Sequence, residues 1–152
     1  MHARVVRIED DLEQLVADIN SASWDKRNEM SIYDTSSLAA YLARQDTVFV
    51  ACYDYSQATP VLLGIASSRI EMKPYEMATW LYVDELDVCA DQRQKGVGTC
   101  IMQAILQIAT EQGCEEVWLG TEHDNQPANA LYRSLDPDDE AHVIGYTYET
   151  DE

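Results

Sequence analysis

Apolar residues along this chain recur at two spacings, every second residue and every third to fourth, in alternating blocks. Val6 and Ile8 flank Arg7, with Val5 beside them, which predicts a strand over residues 3–8. Glu9, Asp10 and Asp11 then precede Leu12, Leu15, Val16 and Ile19. That i, i+3, i+4, i+7 stripe predicts an amphipathic helix with acids at its positive end. Residues 21–35 have no clear period and read as a loop. Ser36 and Ser37 offer a cap for a second helix that carries Leu38, Tyr41 and Leu42 on one face. The β-branched and aromatic runs 47–53 and 61–70 are separated by Asp54, Ser56 and Pro60 and predict a hairpin.

The run 80–89 contains a break of phase. Leu81 and Val83 alternate, Leu86 and Val88 alternate, and the two pairs are out of step by one residue. An extra residue at Asp84 or Glu85 restores the phase, as a β-bulge does, and leaves backbone groups unpaired. A helix carrying Ile101, Ala104, Ile105 and Ile108 follows and ends near Gly113. The strand 116–120 completes a β-α-β unit, so the strands on either side of that helix are expected to be parallel. A last helix over 127–135, capped by Asp124 or Asn125 with Pro127 in its first turn, leads to a last strand over 142–148. The pattern is that of a mixed α/β domain.

At 152 residues and 46% hydrophobic content, the chain suits one domain spanning residues 1–152 with an ordinary core. Charge changes the picture more. Asp and Glu total 28 against 10 Lys and Arg, a net charge of −18. Such a surface repels nucleic-acid backbones and anionic membranes and attracts cations. It also fits plain solubility or adaptation to salt. Cys52, Cys89, Cys100 and Cys114 form no C-x-x-C pair, and His2, His123 and His142 lie at no zinc-like spacing from them. They read as reduced thiols, with no metal site. No run approaches the ~20 apolar residues of a membrane span, and no apolar segment follows Met1, so a soluble, cytoplasmic protein is expected.

The candidate chemistry centres on Arg93, Gln94, Lys95, Gly96, Val97, Gly98 and Thr99, which open a helix directly after a strand. Free N–H groups at a helix N-terminus and the helix dipole favour phosphate, and glycine lets backbone approach it closely. Arg93-x-x-Gly96-x-Gly98 resembles the acyl-CoA pyrophosphate motif of the GNAT superfamily of N-acetyltransferases. The resemblance extends to Leu86-Asp87-Val88 upstream and to Asn125, Ala128 and Leu131-Tyr132 downstream, over roughly residues 46–135. It implies a central, mostly antiparallel sheet with one parallel, splayed strand pair, flanked by helices. It also implies acetyl-CoA as acetyl donor: the turn 93–99 on its pyrophosphate, Leu86 to Val88 along pantetheine, Asn125 and Ala128 near the cofactor arm, and Tyr132 near the thioester sulfur. Asn125 also reads as a helix cap and Tyr132 as a packed aromatic. Where many members have Leu-Gly-Phe after this helix, the chain has Leu135-Asp136-Pro137.

Within the superfamily, the runs 81–88 and 127–132 are most similar to the type I aminoglycoside 3-N-acetyltransferases. That likeness implies an aminoglycoside, acetylated at its 3-amino group, as acceptor. An alkyl ammonium of pKa ~10.4 needs a base before it can attack. Glu85 is the candidate base, with Asp84 and Asp87 as neighbours that attract the cation, and Tyr132 the candidate acid for the departing thiolate. Glu122, Asp139 and Glu140 add negative charge for a polycationic acceptor, although such acids are also ordinary solvated surface. A polyamine or a protein N-terminus is an alternative acceptor, and a CoA-binding regulatory module or a nucleic-acid mimic without turnover is an alternative of another kind. A homodimer is allowed by everything read so far.

Overall fold

Strand pairing starts at the N-terminus. In a computed structural model that describes residues 1–151, His2–Val5 (β1) pairs antiparallel with Thr47–Asp54 (β2), β2 with Val61–Met72 (β3), and β3 with Thr79–Val88 (β4). Val97–Glu111 (α3) then crosses over, so Glu116–Leu119 (β5) joins β4 in parallel and the sheet order is β1-β2-β3-β4-β5. The chain forms two compact units. Met1–Leu119 holds this whole sheet, and the part from Gly120 onward holds Gln126–Ser134 (α4).

Leu12–Ser21 (α1) starts behind Asp11, whose carboxylate accepts the Gln14 N–H at 3.1 Å. Thr35–Ala43 (α2) is capped by Asp34, which accepts the Ser37 N–H at 3.0 Å, so the cap lies ahead of the serines expected to provide it. Between these helices the chain makes a short 3₁₀ turn, Lys26–Asn28, where no period had predicted an element. Leu12, Leu15, Val16, Ile19 and Leu38 pack on Phe49, Ala51, Tyr53 and Ile65 across one face of the sheet. On the other face α3 buries Val97, Ile101 and Ile105. Gly64 allows that approach, because a Cβ there would stand 2.8 Å from the Asp87 carbonyl oxygen and 2.9 Å from Ile101 Cδ1.

Two irregularities bend the sheet. On β4, Val83 pairs with Ser68 and Glu85 with Ser67, so Asp84 is the extra residue that the break of phase predicted. On β3, Gly64 pairs with Cys52 and Leu62 with Tyr53, leaving Leu63 extra. The consecutive apolar pair Leu62-Leu63 hides that second slip from any reading of alternation. The strand expected over 142–148 does not form: no helix or strand follows Ser134 among the described residues, and Val143, Ile144, Tyr146 and Tyr148 are exposed. Alternation alone does not make a strand, which needs a neighbour to bond. Cys52 and Cys89 are buried and Cys100 and Cys114 half-buried, all as free thiols. No helix of the described residues is long and apolar enough to cross a membrane.

Candidate active site

From Trp80 to Val83, β4 is bonded to β3 on one edge and to Glu116–Leu119 on the other. Past Val83 the parallel partner ends, while β3 continues to pair Gly64 to Ser67 with Val88 to Glu85. Among the described residues, no strand therefore bonds the outer edge of Asp84, Glu85, Leu86, Asp87 and Val88. Backbone groups on that edge are left to a ligand or to water.

The bulge also decides where the acids point. Glu85 and Asp87 share the sheet face of their cross-strand partners Ser67 and Ile65. Glu85 is exposed, whereas Asp87 is 6% exposed and its Oδ1 accepts a hydrogen bond from Asn28 Nδ2 at 2.7 Å. Burial, and then the charge of Glu85, push the Asp87 carboxyl up to about 6, against a lowering by the Asn28 amide. The half-buried Tyr33 phenol is pushed up to about 12, first by burial and then by Glu85 and Asp87. Two carboxylates, an amide and a phenol thus meet at one place. Asp84 is exposed and bonded to Arg69 Nε at 3.1 Å, and Arg69 lies 4.8 Å from the centre of the Tyr82 ring.

The turn into α3 has two left-handed residues, Gln94 (φ 60°) and Gly96 (φ 83°). Glycine suits the second for its conformation, since a Cβ at Gly96 would meet nothing within 4 Å. Side chains of Asp11, Asp34 and Asn125 cap the other three α-helices, but Gly96 caps α3 with no side-chain bond. The amides of Val97, Gly98 and Thr99 therefore open the helix without a side-chain acceptor from the cap, at its positive end. Lys95 Nζ donates to Gln92 Oε1 at 3.2 Å. Arg93 binds Asp25 at 2.6 Å rather than standing clear beside the turn. Hydrogen bonds from the Arg27 N–H and from Arg93 hold the Asp25 carboxyl below its ordinary value. Arg93 so ties the turn to the loop that carries Asn28.

In the second unit, Asn125 caps α4: its Oδ1 accepts the Ala128 N–H at 3.3 Å and its Nδ2 donates to Thr121 Oγ1 at 3.3 Å. Asn125, Ala128 and the half-buried Tyr132 follow one another along one helix face. Glu122 and Asp139 are exposed, and Glu140 binds Arg133 at 2.7 Å. The residues that sequence reasoning missed are Asn28, Tyr33 and Asp25. All three lie in the stretch without a period, and their partners on β4 and its following turn are 59 and 68 residues away for Asn28 and Asp25.

A family model described as the acetyltransferase (GNAT) family matches residues 10–136. Solved structures share the fold. An aminoglycoside acetyltransferase from an uncultured soil metagenomic sample, in complex with sisomicin, is 22% identical with a TM-score of 0.83, over 98% of this chain and 95% of that one. A probable acetyltransferase is 18% identical with a TM-score of 0.78, over 100% and 99% of the two chains. A GNAT family acetyltransferase of Staphylococcus aureus subsp. aureus is 12% identical with a TM-score of 0.71, over 97% of both. Comparison with curated proteins gives no match.

Proposed function

Because the chain belongs to the GNAT family of acetyltransferases, we propose that it moves an acetyl group from acetyl-CoA to an amine of a small polycationic acceptor, an aminoglycoside at its 3-amino group. The observation that carries this reading is the second half of β4, where a bulge, an edge without a strand and the Glu85/Asp87 pair coincide. The reading takes residues 1–152 as one acetyltransferase domain, and the family match runs through both compact units.

The residues present fit acetyl-CoA. The uncapped amides of Val97, Gly98 and Thr99, with Gln94, Lys95 and Gly96 ahead of them, suit a pyrophosphate, and Arg93 holds the turn in place through Asp25. The outer edge of Leu86, Asp87 and Val88 suits the amides of a pantetheine arm, in the manner of an added strand. Asn125 and Ala128 lie on the helix face assigned to that arm. Acetyl-CoA supplies the activated acetyl thioester.

The acceptor arrives as an ammonium and has to lose a proton. Glu85 meets the cation at the exposed end of the pair, and Asp87, whose proton affinity burial and Glu85 both raise, holds the proton that leaves. Asn28 fixes the orientation of Asp87. The backbone N–H released at Asp84 donates to the acetyl oxygen as charge builds there, and the Tyr132 hydroxyl gives a proton to the leaving sulfur. Glu122 and Asp139 add attraction for further ammonium groups, each pair worth about 1 kcal/mol at 4 Å in water, and Asp84 and Glu140 add less because Arg69 and Arg133 already bind them. Acetylation removes one of those charges, a chemistry that fits antibiotic resistance exerted in the cytoplasm.

Release of free thiol from acetyl-CoA, measured against aminoglycosides, polyamines and peptides, tests the reading. Turnover with aminoglycosides and none with peptides is expected. Turnover confined to polyamines or peptides moves the acceptor, and acetyl-CoA binding without turnover on any amine overturns the enzymatic reading.

A further inference from the structure

β2 and α3 each bring one thiol to the same interface. Cys52 lies opposite Gly64 across the β2–β3 ladder, so its side chain takes the sheet face of Gly64, the face that α3 covers. A Cβ on Gly64 would stand 2.9 Å from Ile101 Cδ1 and 3.2 Å from Val97 Cγ1, which puts the start of α3 directly over this place. Cys100 sits between those two residues on the helix, and its thiol and that of Cys52 are hydrogen-bonded. Cys52 is fully buried and Cys100 half-buried. Burial, and then Cys100, push the Cys52 thiol up to about 12, so it keeps its proton at neutral pH. Cys89 and Cys114 are engaged elsewhere, the first donating to the Leu62 carbonyl at 3.3 Å and the second accepting from the Thr79 hydroxyl at 3.7 Å. Acetyl transfer has no step for the Cys52/Cys100 pair.

We propose that Cys52 and Cys100 are a peroxide-sensitive dithiol whose disulfide shifts the first turn of α3 against β2. Peroxide reaches the half-buried Cys100 first. The Cys100 sulfur takes one oxygen as the O–O bond breaks, forming a sulfenic acid, and the second oxygen leaves with the thiol proton as water. The Cys52 sulfur then attacks the sulfenic sulfur, the S–O bond breaks, and the hydroxyl leaves with the Cys52 proton as a second water. The two thiols lose two electrons and one peroxide gains them; a second dithiol reverses the change by exchange. A resolving thiol already in contact captures the sulfenic acid before further peroxide does. A disulfide holds its sulfurs about 2.05 Å apart, closer than two hydrogen-bonded thiols, so the first turn of α3 is drawn toward β2. The close fit over Gly64 leaves no slack in that direction, and the amides of Val97, Gly98 and Thr99 are turned from their reduced alignment. On the reading that these amides hold the pyrophosphate of acetyl-CoA, oxidation weakens acetyl-CoA binding, whereas the disulfide itself does not rest on that reading.

The full chain, reduced and then treated with a small excess of hydrogen peroxide, tests this by intact mass, peptide mapping and thermal unfolding. The expected result is a loss of about 2 Da reversed by dithiothreitol, a cross-link between the peptides of Cys52 and Cys100, and a Tm raised by on the order of 10 °C, since the bond closes a loop of about 48 residues. Calorimetry is expected to find the Kd for acetyl-CoA raised about tenfold in the oxidised protein and restored on reduction. Cys52→Ala and Cys100→Ala each abolish the mass loss and the cross-link, and Cys100→Ala, at the half-buried position, decides the matter alone where Cys52→Ala does not fold. Unreacted thiols, a sulfinic acid on Cys100 without a cross-link, or a cross-link through Cys89 or Cys114 overturns the inference, and so does a Cys52–Cys100 disulfide that leaves the Kd unchanged. Reduced protein that binds no acetyl-CoA contradicts the proposed function instead, and mass and Tm still decide the disulfide.

Discussion

Between Thr79 and Val83, β4 is bonded on both edges, buries Leu81 and Val83 under α3, and presents Trp80 and Tyr82 on the opposite face. Between Asp84 and Val88 it is bonded on one edge, buries a carboxylate, and lies beside the only α-helix among the described residues whose cap makes no side-chain bond. A single residue separates these regimes. If Asp84 were paired as an ordinary ladder residue instead of bulging, Glu85 and Asp87 would fall in step with Leu81 and Val83 and point into the α3 core. With the bulge, Leu86 and Val88 take that core face and the two acids turn to the face of Trp80 and Tyr82. The bulge thus lets one strand be core at one end and acid–base machinery at the other.

Removing Asp84 breaks this comparison most severely. Without that residue Leu81, Val83, Leu86 and Val88 alternate unbroken with Tyr82, Glu85 and Asp87 and keep their partners on β3, so the fold is expected to survive, but the backbone N–H assigned to the acetyl oxygen is gone. The deletion variant is expected to keep a cooperative thermal transition and to lose about 10²- to 10³-fold in kcat, and a kcat near that of wild type would show that the bulge is not needed.

Asp87→Asn separates the role of the acidic half from its cost. General acid–base contributions run to about 10²- to 10⁴-fold, so kcat is expected to drop by at least a hundredfold while acetyl-CoA affinity, measured by calorimetry, holds. Stability moves the other way. The carboxyl of folded Asp87 is raised from 3.8 to about 6. The folded state therefore keeps a proton that the unfolded chain has already lost, and stability falls as pH rises between about 4 and 6, then stays level. Each unit is worth about 1.4 kcal/mol, so the penalty reaches at most about 3 kcal/mol. Denaturant unfolding at neutral pH should find Asp87→Asn more stable than wild type by up to that amount, and a less stable variant would contradict the burial argument.

Gly64→Ala sharpens the comparison from the α3 side. Its Cβ would stand 2.8 Å from the Asp87 carbonyl oxygen, so strand or helix has to shift. A loss of about 1–3 kcal/mol is expected in urea unfolding, with weaker acetyl-CoA binding because the first turn of α3 moves with it. Tyr82→Phe, in the ordinary half of the strand, removes a bond to Lys73 and keeps the ring. It should change stability by less than about 1 kcal/mol and leave kcat unchanged.

Much of this strand was legible in advance, and the reasons are local. Period-two alternation that slips by one residue marks a bulge wherever both halves carry apolar side chains, as Leu81, Val83, Leu86 and Val88 do. A strand–helix–strand run fixes the parallel pair. The burial of Asp87 was not legible, because the cover comes from Asn28 and Tyr33 in a loop without a period and through a contact 59 residues long. For the same reason Arg93 looked free in sequence and is bound to Asp25 in space. The segment 142–148 shows the opposite failure, a pattern that predicts a strand where a single chain offers no ladder.

The most direct test is kcat as a function of pH from 5 to 9, with acetyl-CoA and an aminoglycoside saturating, for wild type, Glu85→Gln and Asp87→Asn. If the bulged half of β4 takes the proton from the amine, the wild-type rate falls as pH drops through about 6. Asp87→Asn then loses at least a hundredfold together with that acid limb, and Glu85→Gln shifts the limb to lower pH by removing the neighbouring charge. Wild-type rates and an unchanged acid limb in both variants would contradict the assignment and place the base elsewhere.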